Sequence, residues 1–260
     1  PSGDGFYFTR GQNLYRIAAP GANPQTAFDG TSLGQLSGNK VPSFVDWGDG
    51  SGVPDVVIAS GGRLQVCKGA TPAALEWVPN APSAHLAVAR DGRLWVATNL
   101  SDRVTISGIG EYSNWQLETD GEDTHTDADA QWVDVGYKEN GEILAMQRIG
   151  RDLLVFKDSS KCYRIVGSYP DFYIYGVPGS TKPAHRQAVR AVGNDVVLLD
   201  ECGGLRAVTP STGYGDVALS QNVAPQVQNA INQNVSSGAR VWTVEQFSQL
   251  WVRPADGPTL

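Results

Sequence analysis

Sulfur and imidazole are scarce in this chain: 260 residues carry one methionine, three cysteines and three histidines. Cys67, Cys162 and Cys202 are odd in number, far apart, and form no C-x-x-C pair. That pattern argues against a disulfide framework and a structural zinc site, and each thiol is expected to be a small buried hydrophobe in a protein made in a reducing compartment. His85, His125 and His185 stand alone, with no H-x-x-x-H pair and no serine in a G-x-S-x-G turn, so no zincin or hydrolase signature is present. Charge is also sparse. Charged residues make up 18% of the chain, against about 25% in an average globular protein. The formal net charge of −7 argues against a broad basic face for gripping nucleic acid. No window approaches the roughly 18 apolar residues of a membrane span, and the first residues show no basic region followed by an apolar run, so no signal peptide is expected.

Turn formers and β-branched residues are plentiful, with Gly 30 and Pro 15, and no leucine- and glutamate-rich heptad runs through the chain. That profile suits many short strands and excludes a coiled coil or helix bundle. One unit recurs: an apolar run, a glycine or polar turn, and a second run of β character. It pairs residues 5–9 with 13–17, 55–60 with 63–66, 85–89 with 93–96, 142–146 with 152–156, 195–199 with 204–208 and 240–244 with 249–252. The Gly-Gly and Asp-Gly turns between the runs supply the positive φ of tight hairpins.

The leucines that open the second runs, Leu14, Leu64, Leu94, Leu153, Leu205 and Leu250, are separated by 50, 30, 59, 52 and 45 residues. That spacing is close to the roughly 40–50 residues per propeller blade. Third strands are expected at 103–107 and 161–166. The expected fold is all-β, a β-propeller of about six antiparallel hairpin or meander blades in a single domain over residues 1–260, part of a longer chain or closed on its N-terminal strand. The interval of 30 is short for a blade, and an irregular β-sandwich is the alternative. Val227, Ala230 and Ile231, at helical spacing after Pro225, predict a short helix near 224–234.

Two acidic stretches are candidate sites. Asp46, Asp49 and Asp55 flank a glycine-rich segment that could wrap a calcium ion, but the alternation that points oxygens inward is broken and no glutamate closes the loop. A tight turn is the favoured reading. The second stretch carries Glu118, Asp120, Glu122, Asp123, Asp127, Asp129 and Asp134 with His125 and no Lys or Arg. It reads as a solvated loop, with acid–base or cation chemistry as the alternatives. No cofactor motif is present, and Trp95, Trp251, Tyr15 and Tyr163 fall inside repeated strands, where core packing is expected.

Four stretches in order, 5–17, 92–98 with 103–107 and 110–115, 141–157 with 161–165, and 222–234 leading to 240–244 and 249–252, resemble the β-propeller body of the tail nozzle proteins of short-tailed bacteriophages. These are also called tail tubular protein B or packaged-DNA stabilization protein. The resemblance implies a non-enzymatic virion component, assembled in the host cytoplasm, in which six copies ring the DNA exit channel beneath the portal and adaptor. It would retain packaged DNA, deliver it at ejection, and carry fibre or spike proteins. The acidic loop 118–134 would then face the channel, where like charge lets DNA slide without sequence recognition. The alternatives are a glycan-binding or glycan-cleaving propeller and, third, a calcium-dependent adhesion propeller.

Overall fold

The computed structural model describes residues 6–17, 31–48, 54–69, 74–115, 129–139, 141–168, 171–179, 182–193, 195–208, 216–218, 239–244 and 249–253. These form an all-β fold of six antiparallel sheets, in which each sheet takes its strands consecutively from the chain. The first contains β1 (Phe6–Arg10), β2 (Asn13–Ile17) and β3 (Thr31–Gln35), and the second β4 (Ser43–Trp47), β5 (Asp55–Ala59), β6 (Gln65–Cys67) and β7 (Glu76–Trp77). The third contains β8 (Ala84–Arg90), β9 (Arg93–Thr98), β10 (Arg103–Ile106) and β11 (Gln131–Asp134). The fourth is β12 (Ile143–Ile149), β13 (Asp152–Lys157), β14 (Cys162–Val166) and β15 (Tyr173–Val177). The fifth is β16 (Val189–Val192), β17 (Asp195–Leu199), β18 (Leu205–Val208) and β19 (Asp216–Ala218), and the last pairs β20 (Arg240–Val244) with β21 (Gln249–Arg253). Five meanders and a final hairpin in succession are the blades of a β-propeller. Among the described residues there is no helix, and none that could cross a membrane; the helix expected near 224–234 lies outside the described residues.

All six anticipated hairpins are strand pairs, and both expected third strands are present as β10 and β14. One register is corrected. In the second and fifth sheets the hairpin read from the sequence is β5–β6 and β17–β18, the second and third strands, because β4 and β16 precede them. Counting from the first residue of each second strand, at 13, 55, 93, 152, 195 and 249, the intervals become 42, 38, 59, 43 and 54. The short interval of 30 thus came from comparing a third strand with a second one.

Contacts divide the chain into two compact units, residues 1–99 with 103–133, and 100–102 with 134–260. In the first unit, β5 is apolar on both faces. Val56 and Ile58 pack with Leu14, Leu33, Leu36 and Cys67, while Val57 and Ala59 pack with Leu64, Val66, Ala87, Leu94, Val96 and Trp115. In the second unit β17 repeats the scheme, with Val196 and Leu198 against Leu154, Phe156 and Val189, and Leu199 against Ala188, Ala239, Val241 and Val252. A strand between two sheets needs apolar residues at every position, which is why these runs are continuous rather than alternating. Full burial of each Val, Leu or Ile contributes about 1.5–3 kcal/mol.

Turn chemistry fixes the hairpins. β8 and β9 are joined by Asp91 and Gly92, both at positive φ (50° and 69°), the two-residue Asp-Gly turn whose twist matches the strands. In the first unit, neighbouring sheets are also joined by polar contacts. The buried Gln65 side chain accepts from the Ser37 amide at 2.8 Å and donates to the Gln35 carbonyl at 3.1 Å. A side chain on Gly38 or Gly62 would collide with the facing backbone of Ser60 or Ser37, so this close approach is open only to glycine.

Candidate functional site

The predicted site residues are distributed rather than gathered. Asp46 lies exposed in β4 opposite Val56, Asp49 lies outside the described residues, and Asp55 opens β5. Both Asp55 oxygens serve the protein: Oδ1 accepts the Gly69 amide at 2.9 Å and Oδ2 accepts the Tyr112 hydroxyl at 2.9 Å. Burial first, then this hydrogen bond, pushes the Tyr112 hydroxyl pKa up. In the acidic stretch, Glu118, Asp120, Glu122, Asp123, Asp127 and His125 lie outside the described residues. Asp129 gives its backbone carbonyl to Arg93 at 2.7 Å, and Asp134 ends β11. Among the described residues, no three His, Cys, Asp or Glu side chains come together as a metal site would require. His85 is buried with Nδ1 3.1 Å from Asn99 Oδ1.

Two residue expectations are corrected. Cys67 and Cys162 are buried, but Cys202 is exposed, because it sits in the β17–β18 turn rather than in a strand. Burial pushes the Cys67 thiol up to about 11, partly offset by Arg16. Trp95 is buried as expected, whereas Trp251 is 39% exposed. In the last hairpin Val241 pairs with Val252 on the core face, which places Trp242 and Trp251 together on the other.

Two polar centres in the second unit were not read from the sequence. The first is built on Lys157, whose ammonium is completely buried at the end of β13. It meets Asp102 Oδ1 at 2.7 Å and the carbonyls of Val135, Gly136 and Glu139 at 3.3, 3.3 and 3.4 Å. The Glu139 carboxylate accepts from Lys161 at 2.6 Å and from the Tyr163 hydroxyl. The Lys161 bond first, then the Tyr163 bond, holds the Glu139 carboxyl below its ordinary value. A buried charge is tolerable only when paired and hydrogen-bonded in this way. The centre is closed, since a side chain at Gly136 would meet Glu139, Tyr163 and Lys157.

The second centre is open. Gln187, Arg190, Arg240, Val241, Trp242 and Arg253 line a cleft of about 380 Å³. The Val241 amide donates to the Gln187 carbonyl at 3.0 Å, and Arg190 Nε donates to the Val241 carbonyl at 3.1 Å. These bonds tie β16 to β20 and set one arginine beside the two on the final hairpin. Arg240 and Arg253 are direct cross-strand partners, an arrangement of like charges that destabilises a sheet. Among the described residues, no carboxylate pairs with any of the three. His185, which precedes this element, has its pKa lowered by burial first and then by Arg186 and Arg240. The geometry suits an anion.

No sequence family and no curated protein matches the chain. Among solved structures, it is similar to BBS1N, crystallised in complex with ARL6DN, at a TM-score of 0.58 and 11% identity, covering 98% of this chain and 72% of that one. It is similar to the N-terminal domain of Nup159 at 0.51 and 7% identity, covering 93% and 64%. PorZ, an essential surface component of the type-IX secretion system of Porphyromonas gingivalis, gives 0.54 and 10%, covering 98% of this chain and 30% of that one. At these identities the likeness concerns the fold, and the fold is a β-propeller.

Proposed function

We propose that this chain is a non-enzymatic propeller that works as a rigid scaffold in the tail nozzle of a short-tailed phage, in a ring around the DNA path. The observation that carries the reading is the ordered set of family-like stretches. Within the described residues, the stretches at 6–17, 92–107, 141–165 and 240–252 contain the strand pairs β1–β2, β9–β10, β12–β13–β14 and β20–β21, while 110–115 lies outside any strand. Support also comes from the use of buried charge. Lys157 and Asp200 are spent on holding strands and turns, as a scaffold requires. BBS1N, at similar fold, is a propeller captured with a protein partner. Phage particles lacking this protein are expected to lose packaged DNA, and the purified chain is expected to form a six-fold ring with the tail adaptor. Particles that keep their genome and an adaptor that binds nothing would refute the proposal.

A second reading, glycan binding, is favoured by aromatic residues on the outermost strands. Trp77 in β7, Trp132 in β11 and the stacked Tyr173–Tyr175 pair in β15 are all about half exposed. Loss of oligosaccharide binding on replacing Tyr173 and Tyr175 by alanine would favour it over the scaffold.

A further inference from the structure

We propose that the arginine cleft between β16 and the β20–β21 hairpin binds a phosphorylated sugar, with the phosphomonoester on the guanidinium groups and the sugar over Trp242. The inference is independent of the nozzle reading. Two observations and the chemistry of the guanidinium group carry it. Arg190, Arg240 and Arg253 converge from two sheets on one cleft of about 380 Å³, within the size range of small-molecule sites, roughly 300–1,000 Å³. Arg240 stands directly opposite Arg253, both exposed, a mildly destabilising like-charge placement that a bound anion would offset. The planar guanidinium fork matches a phosphoryl group with two parallel N–H···O bonds. Three such forks suit a dianionic monoester better than the singly charged diester of a nucleic acid.

The remaining features select what carries the phosphate. The Gln187 side-chain oxygen lies buried without a hydrogen-bond partner, and a buried acceptor left unmade is costly. A hydroxyl of a bound sugar would donate to it once the Gln187 side chain turns into the cleft it lines, since as placed the oxygen is closed to solvent. Trp242 lines the same cleft and packs against Trp251 with ring centroids 6.0 Å apart. This gives an apolar wall for the face of a sugar ring. Arg190 is positioned by its Nε bond to the Val241 carbonyl, which leaves its terminal nitrogens for the ligand.

Calorimetric titration of the full chain tests this with hexose 6-phosphate, the parent hexose, inorganic phosphate, a phosphomannan and a single-stranded oligonucleotide. Hexose 6-phosphate is expected to bind at least about tenfold tighter than inorganic phosphate, and the parent hexose not measurably. A phosphomannan that binds more tightly than the monomer would identify a polysaccharide as the source, and weaker binding would identify a free sugar phosphate. Arg253→Gln and Arg240→Gln should each weaken hexose 6-phosphate binding by about tenfold or more, and Trp242→Ala should abolish the advantage over inorganic phosphate. Because Arg253→Gln removes a like-charge pair, its unliganded melting temperature should hold or rise, which separates lost binding from lost folding. Arg190→Gln provides a second variant should that one fail to fold. Equal affinity for phosphate and hexose 6-phosphate, tighter binding of the oligonucleotide, no binding at all, or unchanged affinity in the arginine variants would each overturn the proposal.

Discussion

Cys202 shows what a single position in a turn changes. It is exposed while Cys67 and Cys162 are buried, and thiol chemistry depends on access and on the thiolate fraction. One thiol per chain is expected to react rapidly with a disulfide reagent under native conditions, rising to three in denaturant; two fast thiols would contradict the placement. His185 makes a second residue-level prediction. Its folded pKa lies below the ordinary 6.5 because burial, Arg186 and Arg240 disfavour the charged ring. The unfolded chain therefore takes up the proton first as pH falls. The contribution of the neutral ring is present above 6.5 and is lost as pH drops through the window below it. Denaturant melts between pH 7.5 and 5 should show a shallower loss of stability for His185→Asn than for the parent chain. These histidine and cysteine environments were not legible in the sequence, since each is set by residues distant in the chain or by a turn position.

At the scale of the element, the β17–β18 turn shows how a pattern can be read correctly for an incomplete reason. Gly203 and Gly204 mark a turn in the sequence, and Gly203 does adopt a φ of 83°. What organises the turn is Asp200, almost fully buried, whose carboxylate accepts from the Cys202 amide at 2.9 Å, the Gly204 amide at 2.6 Å and Arg206 Nε at 2.6 Å. A side chain at Gly204 would press on that carboxylate. Asp200→Ala removes the acceptor of two amides and of Arg206 Nε and should cost about 2–4 kcal/mol, measured by equilibrium denaturation. The Lys157 element behaves alike. Lys157→Ala takes the ammonium from Asp102 and from three carbonyls, of which Gly136 keeps the Glu139 amide, and a loss of about 3 kcal/mol is expected from a broken, largely buried pair. The strands themselves were legible because β5 and β17 are unbroken apolar runs. β3, β7, β11, β15 and β19 were not anticipated either, and β4 and β16 were missed because SFVDW and VRAV carry exposed polar residues and lack a turn signal of comparable strength.

On the scale of the molecule, stability is shared among separate apolar clusters within two compact units. Ile58 belongs to a cluster of the first unit and Leu154 to one of the second. Ile58→Val should cost about 1 kcal/mol and Leu154→Ala about 3 kcal/mol. With no shared partners, the double variant should equal their sum within about 0.5 kcal/mol. A larger coupling would mean that the two clusters respond as one. The net charge of −7 also conceals a local reversal, because His185, Arg186, Arg190, Arg240 and Arg253 come from two parts of the chain about fifty residues apart. Averaged over the sequence they vanish into an acidic total. In the fold, three of them line one cleft.

The sequence by itself determined the all-β class, the six hairpins and the turns between them, because strand periodicity, β-branched runs and Asp-Gly or Gly-Gly turns act over a few neighbouring residues. The resemblance to phage nozzle proteins, on which the proposed function rests, is an expectation drawn from the order of the family-like stretches. Only the tertiary structure decided which strand of each sheet a hairpin occupies, which cysteine meets solvent, and how Lys157 is held. It alone brought Arg190 to Arg240 and Arg253. Those outcomes depend on pairing across long stretches of chain, where burial and electrostatics are set by residues that no local pattern connects.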